Sequence, residues 1–254
     1  KPMGRVSGTT DSARGYQMSI RIHNTANSSL DGKKYSFNYG QINQDFCINR
    51  VLDIDNGFFL DIGAGIGGLD AKKVLINSMS NTYGLERFRG WNGIAIDYDE
   101  AYIQEAKKHR SCIMVCEDLT KISINDILEK NNAPKKIDYL SFDVDGAQEE
   151  VLNKLDFSTY SFKAITYEHN LYSAFDPAGC DLDTNVIELY KKSREKFNKL
   201  GYRLLFGNVG VFPGMPIEDW YVDRETFKRY EHLASDNVTG RQVMVTIERS
   251  MLKK

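Results

Sequence analysis

A chain of 254 residues with 41% hydrophobic content is long enough for one large α/β domain and short for two independent ones. Its formal net charge of -2 lacks the basic excess of a dedicated nucleic-acid binder, and no apolar run approaches the roughly 18 residues that a membrane span requires. The cysteines Cys47, Cys112, Cys116 and Cys180 have no zinc-type spacing, and Cys112 and Cys116 flank an apolar run, so core thiols in a reduced, cytoplasmic protein are the expectation.

Residues 1–38 are polar and rich in Ser, Thr, Asn and Gly, which predicts an arm or lid ahead of a single domain over 39–254. A helix is predicted over Tyr39–Asp53, with Phe46, Ile48, Val51 and Leu52 as its apolar face and Asp55-Asn56-Gly57 as its stop. Strands follow at Phe58–Ile62, Gly93–Asp97, Ile113–Cys116, Ile137–Val144, Ala164–Glu168 and Tyr202–Phe206, with Gln242–Glu248 as the seventh and last. Helical patterns separate them at Thr82–Phe88, Glu100–His109, Ile124–Lys130, Ala147–Leu155, Val186–Leu200 and Arg224–Ala234. This alternation implies a doubly wound, mainly parallel sheet with helices on both faces. The basic clusters Lys107-Lys108-His109-Arg110 and Lys191-Lys192-Ser193-Arg194 read as solvated helix faces.

The apolar run Phe58-Phe59-Leu60-Asp61-Ile62 enters the glycine turn Gly63-Ala64-Gly65-Ile66-Gly67-Gly68. Glycines there let the backbone turn with positive φ and let a ligand approach without a Cβ in the way. Gly63, Gly65 and Gly68 satisfy the dinucleotide spacing, but the acid that should follow about 20 residues on falls in a helical stretch. The first strand-end acid is Asp97, too late for a compact dinucleotide unit. Asp61 under the turn suits a ligand bearing an ammonium group, as S-adenosylmethionine (SAM) does and NAD does not. The pattern therefore points to SAM.

Further segments, in order along the chain, narrow the match: Tyr39-Gly40-Gln41-Ile42-Asn43-Gln44-Asp45, Ser80-Asn81-Thr82-Tyr83-Gly84-Leu85-Glu86-Arg87-Phe88-Arg89-Gly90-Trp91-Asn92-Gly93-Ile94, Phe142-Asp143-Val144-Asp145-Gly146-Ala147-Gln148 and Ile165-Thr166-Tyr167-Glu168-His169-Asn170. With the glycine turn they resemble the FkbM family of SAM-dependent O-methyltransferases, which act on sugar and natural-product hydroxyls. The likeness runs from about Tyr39 to about Asn170, with a weaker echo at Asp219-Trp220-Tyr221-Val222. It implies a seven-stranded Rossmann-like sheet whose last strand inserts antiparallel. Asp145 stands where the family more often has glutamate, and Ala64 where asparagine is common.

The resemblance and the topology together imply a cofactor site. Gly63, Ala64, Gly65 and Gly67 would underlie the methionine end of SAM, with Asp61 near its amino group. Asp97, followed by Tyr98, would accept both ribose hydroxyls, the alternative being an acid at a helix N-terminus. Asp118 and Leu119 would meet the adenine, unless Asp118 only shapes a turn. Ser80, Asn81 and Thr82 open a helix whose free N–H groups they can cap and which could receive the SAM carboxylate. Gln41 and Gln44 would close over the cofactor, or be exposed helix polars.

Methyl transfer to a hydroxyl needs alignment and a base. Of four histidines, His169 alone ends a central strand, beside Glu168 and opposite Asp143 and Asp145, and it is the expected base; the alternative is a structural histidine. Asp143 and Asp145 lie on one side of an extended chain and can ligate a divalent cation, but the resemblance requires no metal and none is favoured. The bland alternative for Asp145 is a turn that caps the next helix. The predicted acceptor is a saccharide or nucleotide-sugar hydroxyl, with S-adenosylhomocysteine (SAH) as co-product. A phosphate or phosphoramidate oxygen, or a non-catalytic binding subunit, are the alternatives.

Overall fold

The computed structural model describes residues 37–65, 79–175 and 183–252, so Gly67, Cys180 and nearly all of the predicted arm lie outside the described residues. The chain runs α1 (Gln44–Leu52), β1 (Phe58–Ile62), α2 (Tyr83–Arg89), β2 (Asn92–Asp97), α3 (Glu100–Ala106), β3 (Ile113–Cys116), α4 (Ile124–Lys130), β4 (Lys136–Phe142), α5 (Gln148–Lys154) and β5 (Ser161–Glu168). It continues with α6 (Thr184–Lys199), β6 (Arg203–Val209), β7 (Glu218–Val222), α7 (Arg224–Tyr230), β8 (Ser235–Asp236) and α8 (Gly240–Met251).

One sheet takes the order β3-β2-β1-β4-β5-β7-β6-β8. Strands β1 to β5 are parallel, β7 is antiparallel to both β5 and β6, and β8 is parallel to β6. Because successive strand residues face opposite sides, the apolar central strands supply two cores at once. Phe59, Ala95, Tyr139 and Ala164 pack on the side of α1 and α8. Leu60, Ile94, Ile96, Leu140 and Ile165 pack on the side of α4, α5 and Phe197 of α6. The carboxyl ends of β1, β2, β4 and β5 are thereby brought to one rim.

Two expectations need correction. The final inserted strand is not Gln242–Glu248, which forms α8; the antiparallel insertion is β7, and a two-residue β8 brings the total to eight. Val243, Val245 and Ile247 alternate as a strand would, but Val243 and Ile247 are also one helical turn apart, and they are the pair that is buried. A capping box decides the local choice: Gln242 N–H donates to Thr239 Oγ1 at 3.2 Å, and Thr239 N–H donates to Gln242 Oε1 at 2.7 Å. Strand β7 escapes apolar patterning because Glu218 and Asp219 interrupt it, although all five of its residues are buried. The helix predicted from Tyr39 starts only at Gln44, after Asn43 takes a left-handed conformation.

Buried acids cluster where β7 meets α1. Asp45 accepts N–H bonds from Tyr39, Gly40 and Phe46, and burial raises its carboxyl to about 7. Glu218 accepts from Gln44 Nε2 at 2.5 Å, and burial followed by the nearby Asp143 charge raises it to about 8.

Replacing Thr239 with Ala should cost about 1 kcal/mol in a urea melt, through loss of the α8 cap. A raised folded-state carboxyl contributes stability that is complete below its ordinary value and is lost as pH climbs through the raised one. Thermal stability should therefore fall as pH rises through about 7 and 8, and Glu218→Gln should flatten the upper part of that fall.

Candidate active site

The glycine turn works by close approach. Gly63 has φ +74°, and a Cβ there would stand 1.5 Å from the Asp143 carbonyl oxygen, so only glycine lets the ends of β1 and β4 meet. Ile96 O accepts from Gly63 N–H at 2.9 Å and from Ala64 N–H at 3.1 Å, which ties the turn to β2. Gly65 N–H donates to Asp97 Oδ2 at 2.8 Å, and a Cβ on Gly65 would lie 2.5 Å from that oxygen. Asp97 Oδ1 accepts from Asp99 N–H at 2.8 Å. Each Asp97 oxygen thus has one backbone donor and retains capacity for another, and partial burial raises the carboxyl.

These rims enclose a cleft of about 640 Å³. Of the sequence-predicted residues, Gln41, Gly63, Gly65, Asp97, Tyr98, Asp118, Leu119, Asp143, Asp145 and Glu168 line it. Tyr98 is 80% exposed, an aromatic ring standing free at its mouth. Asp118 Oδ1 accepts from the Thr120 N–H and hydroxyl, and Oδ2 pairs with Lys121 Nζ at 2.8 Å. Those contacts, Lys121 first, hold the carboxyl at about 2.

Asp61, Ala64, Ser80, Asn81 and Thr82 stand behind the wall rather than on it. Thr82 Oγ1 donates to Asp61 Oδ2 at 2.6 Å and accepts from Arg110 Nη2 at 2.8 Å. Arg110 Nη1 reaches Ser80 Oγ at 3.2 Å, and its Nε pairs with Glu86 at 2.6 Å. Ser80 Oγ also accepts from Tyr83 N–H at 3.1 Å, which caps the first turn of α2. Arg110 is buried, not a solvated face residue; it neutralises Asp61 and Glu86 beneath the turn. Nothing in a run of basic residues at a helix end distinguishes the one that folds inward. Asn81 Nδ2 donates to Ser141 Oγ at 3.1 Å, while its Oδ1 is buried without a partner.

Two expected contacts move. Gln44 does not close over the cleft: it is buried, its Oε1 accepts from Ile42 N–H at 2.8 Å, and its amide donates to Glu218. His169 does not reach the cleft either. Its side chain is 1% exposed, Nδ1 accepts from Leu171 N–H at 3.1 Å, and Nε2 faces Asp219 Oδ1 at 3.5 Å.

The carboxylates that do converge are Asp143, Asp145 and Glu168, with one oxygen of each within 4.8 Å of the others. A side-chain hydrogen bond joins Asp143 and Glu168. Burial raises both, and Glu168 is pushed up further by that hydrogen bond and by the charge on Asp143. Such a set can also hold a divalent cation through oxygen. Glu218 lies opposite Glu168 in the β5–β7 register, a neighbour hidden from sequence reading by its remoteness along the chain.

The model of the methyltransferase FkbM domain family matches residues 74–204, about half of the chain. No curated protein matches. Among solved structures, a TehB-like SAM-dependent methyltransferase from Corynebacterium glutamicum is 14% identical, covering 70% of this chain and 88% of its own, with a TM-score of 0.40. YjhP from E. coli is 16% identical, with coverage of 88% and 80% and a TM-score of 0.39. A SAM-dependent methyltransferase from Thiobacillus denitrificans, in complex with S-adenosyl-L-homocysteine, is 14% identical, with coverage of 87% and 79% and a TM-score of 0.36. These scores are low, and the assignment rests on the family match. By that match, this chain belongs to the FkbM methyltransferase domain family.

Proposed function

We propose that the chain is a SAM-dependent O-methyltransferase acting on a hydroxyl of a sugar, nucleotide sugar or related precursor. The observation that carries this reading is that the glycine turn, Asp97 and the Asp143–Glu168 pair all open on one cleft. The residues fit SAM. Gly65 gives the room a side chain would fill, and Asp97 retains acceptor capacity for two ribose hydroxyls. Tyr98, Asp118 and Leu119 border the end of the cleft assigned to adenine.

When bound, SAM supplies an electrophilic methyl carbon on a sulfonium. The chain holds the acceptor hydroxyl in line and takes its proton. Asp143, not the buried His169, is the proposed base, because its carboxylate lines the cleft and burial makes it a stronger proton acceptor than an ordinary aspartate. Glu168 keeps its own proton and donates a hydrogen bond through it to one Asp143 oxygen, which orients the Asp143 carboxylate and leaves its other oxygen to take the hydroxyl proton.

The lining also bears on the acceptor. Its acids are Asp97, Asp99, Glu117, Asp118, Asp143, Asp145 and Glu168, and no Lys, Arg or His joins them among the described residues. A phosphate or phosphoramidate oxygen would meet repulsion there, so a neutral hydroxyl is favoured. A divalent cation on Asp143, Asp145 and Glu168 would reverse that sign and is the second reading.

Calorimetry should find SAM and SAH bound and NADH not. Asp97→Ala should weaken SAM by about 10- to 100-fold, since hydrogen bonds to a charged group contribute about 1.5–3 kcal/mol. With nucleotide sugars screened by SAH release, Asp143→Asn should lower turnover by about 10²–10⁴ while SAM still binds. Loss of turnover on adding EDTA would instead support the cation reading. Failure of the folded protein to bind either SAM or SAH would overturn the assignment.

A further inference from the structure

Aromatic side chains around β5 are mostly committed to packing. Tyr167 meets Phe142 and Phe197, and Tyr190 meets His169 and Arg194. Tyr172 differs. It is 37% exposed, and among the described residues its hydroxyl has no hydrogen-bond partner and its ring no aromatic or cationic one. The fold gives this side chain no task of its own.

Its backbone is nevertheless fixed. The β5–β7 ladder ends with Glu168 opposite Glu218, and the contact then continues past the ladder. His169 and Asn170 N–H both donate to Ile217 O, at 2.9 and 2.8 Å, and Tyr172 N–H donates to Pro216 O at 2.9 Å. Asn170, at φ +51°, starts the single turn Leu171–Ala174, and its carbonyl oxygen accepts from the Ser173 N–H and hydroxyl. From the other side, Asp183 N–H donates to Ala174 O at 3.1 Å, and Asp183 caps α6. A side chain free at its tip on a backbone held from both sides is preorganised for a ligand.

The turn sets Tyr172 beside the acidic end of the cleft. Burial raises its hydroxyl, and the Glu168 and Asp145 carboxyls then raise it further, so the phenol lies within electrostatic reach of both. Tyr98, the exposed aromatic at the mouth, belongs to the other end. Strands β1 and β4 separate β2 from β5, so three strand spacings of about 4.8 Å set Tyr98 and Tyr172 about 14 Å apart. One ring cannot stack on both.

The cleft beside Tyr172 is matched to a particular surface. A pyranose carries C–H groups on its faces and hydroxyls around its edge. An aromatic ring receives such a face, and carboxyl oxygens accept from such an edge. Asp145 is exposed without a partner among the described residues, and Glu168 Oε2 is buried without one. A wholly apolar ligand would leave both unmet, and an anion would be repelled.

We propose that Tyr172 is the acceptor-binding residue, its ring stacking on the C–H face of a pyranose whose edge hydroxyls meet Asp145 and Glu168. The inference rests on the methyl-transfer reading for the fate of the bound sugar, but the stacking is measurable without turnover.

The test is saturation-transfer difference NMR on the full chain, with and without SAH, using methyl β-D-glucopyranoside, methyl β-D-galactopyranoside and glucosamine as probes. The proteins are the native chain, Tyr172→Phe, Tyr172→Leu and Tyr172→Ala, each with SAM calorimetry and a thermal melt. The native chain should bind a methyl glycoside, with the strongest transfer to ring C–H protons. Phenylalanine keeps the ring face and should bind as the native chain does. Leucine keeps apolar bulk without that face, and it and alanine should weaken the glycoside about 5- to 10-fold while SAM affinity stays native. If the alanine variant does not fold, the contrast between phenylalanine and leucine decides. Native-like glycoside binding by the leucine or alanine variant would overturn the proposal. So would a native chain that binds neither glycoside, or that binds glucosamine alone, which would mean recognition of an ammonium. Glycoside binding that depends on Tyr172 in a chain that binds neither SAM nor SAH would instead sink the cofactor reading and leave the stacking role standing.

Discussion

The contact between Gly63 and the Asp143 carbonyl oxygen is the constraint on which the cleft depends. A methylene at Gly63 would overlap that oxygen, so any side chain would force β1 and β4 apart at their carboxyl ends. With glycine there, Asp143 N–H can donate to Ile62 O at 2.9 Å, and the turn can hang from Ile96 O of β2. Three strand ends are then locked within reach of one another. Asp97 and Asp143, 46 positions apart in sequence, come to border the same space. The positions of both candidate acids follow from a missing Cβ.

Around this rim the chain treats its charges in two ways. Behind the rim, acids are matched: Asp61 by Thr82 and Arg110 and Glu86 by Arg110 beneath the turn, and Asp219 by Arg194 on β7. A buried carboxylate left unmatched would cost several kcal/mol, so these pairs keep the platform rigid. On the cleft wall, Asp143, Asp145 and Glu168 face one another without a cation among the described residues. Burial and the hydrogen bond between Asp143 and Glu168 raise Glu168 above the ordinary carboxylate range, which eases that conflict. A rigid, neutralised platform carrying a frustrated acidic wall is suited to a cationic cofactor and, in the proposed reaction, to a hydroxyl that must lose a proton.

Local signals were readable wherever the deciding interaction was close in sequence. The glycine turn, the strand-end Asp97, the β/α alternation through α6 and the family likeness are written in short stretches, because turn geometry and amphipathic periodicity act over a few residues. Gln242–Glu248 shows the limit of that logic. Its spacing satisfies a strand and a helix equally, and the choice fell to the Thr239 cap and to packing against the segment before α1, where Gly240 touches Ile42 O. Strand β7 was obscured for the opposite reason: its acids look like surface residues until Arg194, Gln44 and the neighbouring strands surround them.

His169 marks the boundary most clearly. Residue order and spacing alone place a histidine after Glu168 at the end of a central strand and call for a glycine-turned, mainly parallel sheet. Which side of the strand that histidine faces, and whether its nitrogens are free, was decided only by the tertiary structure. Strand pleating sends it away from the cleft, and Asp219, 50 positions later, meets it there. Patterning records which residues alternate. It carries no information about which distant partner will occupy the far side, because that pairing depends on β7 inserting beside β5.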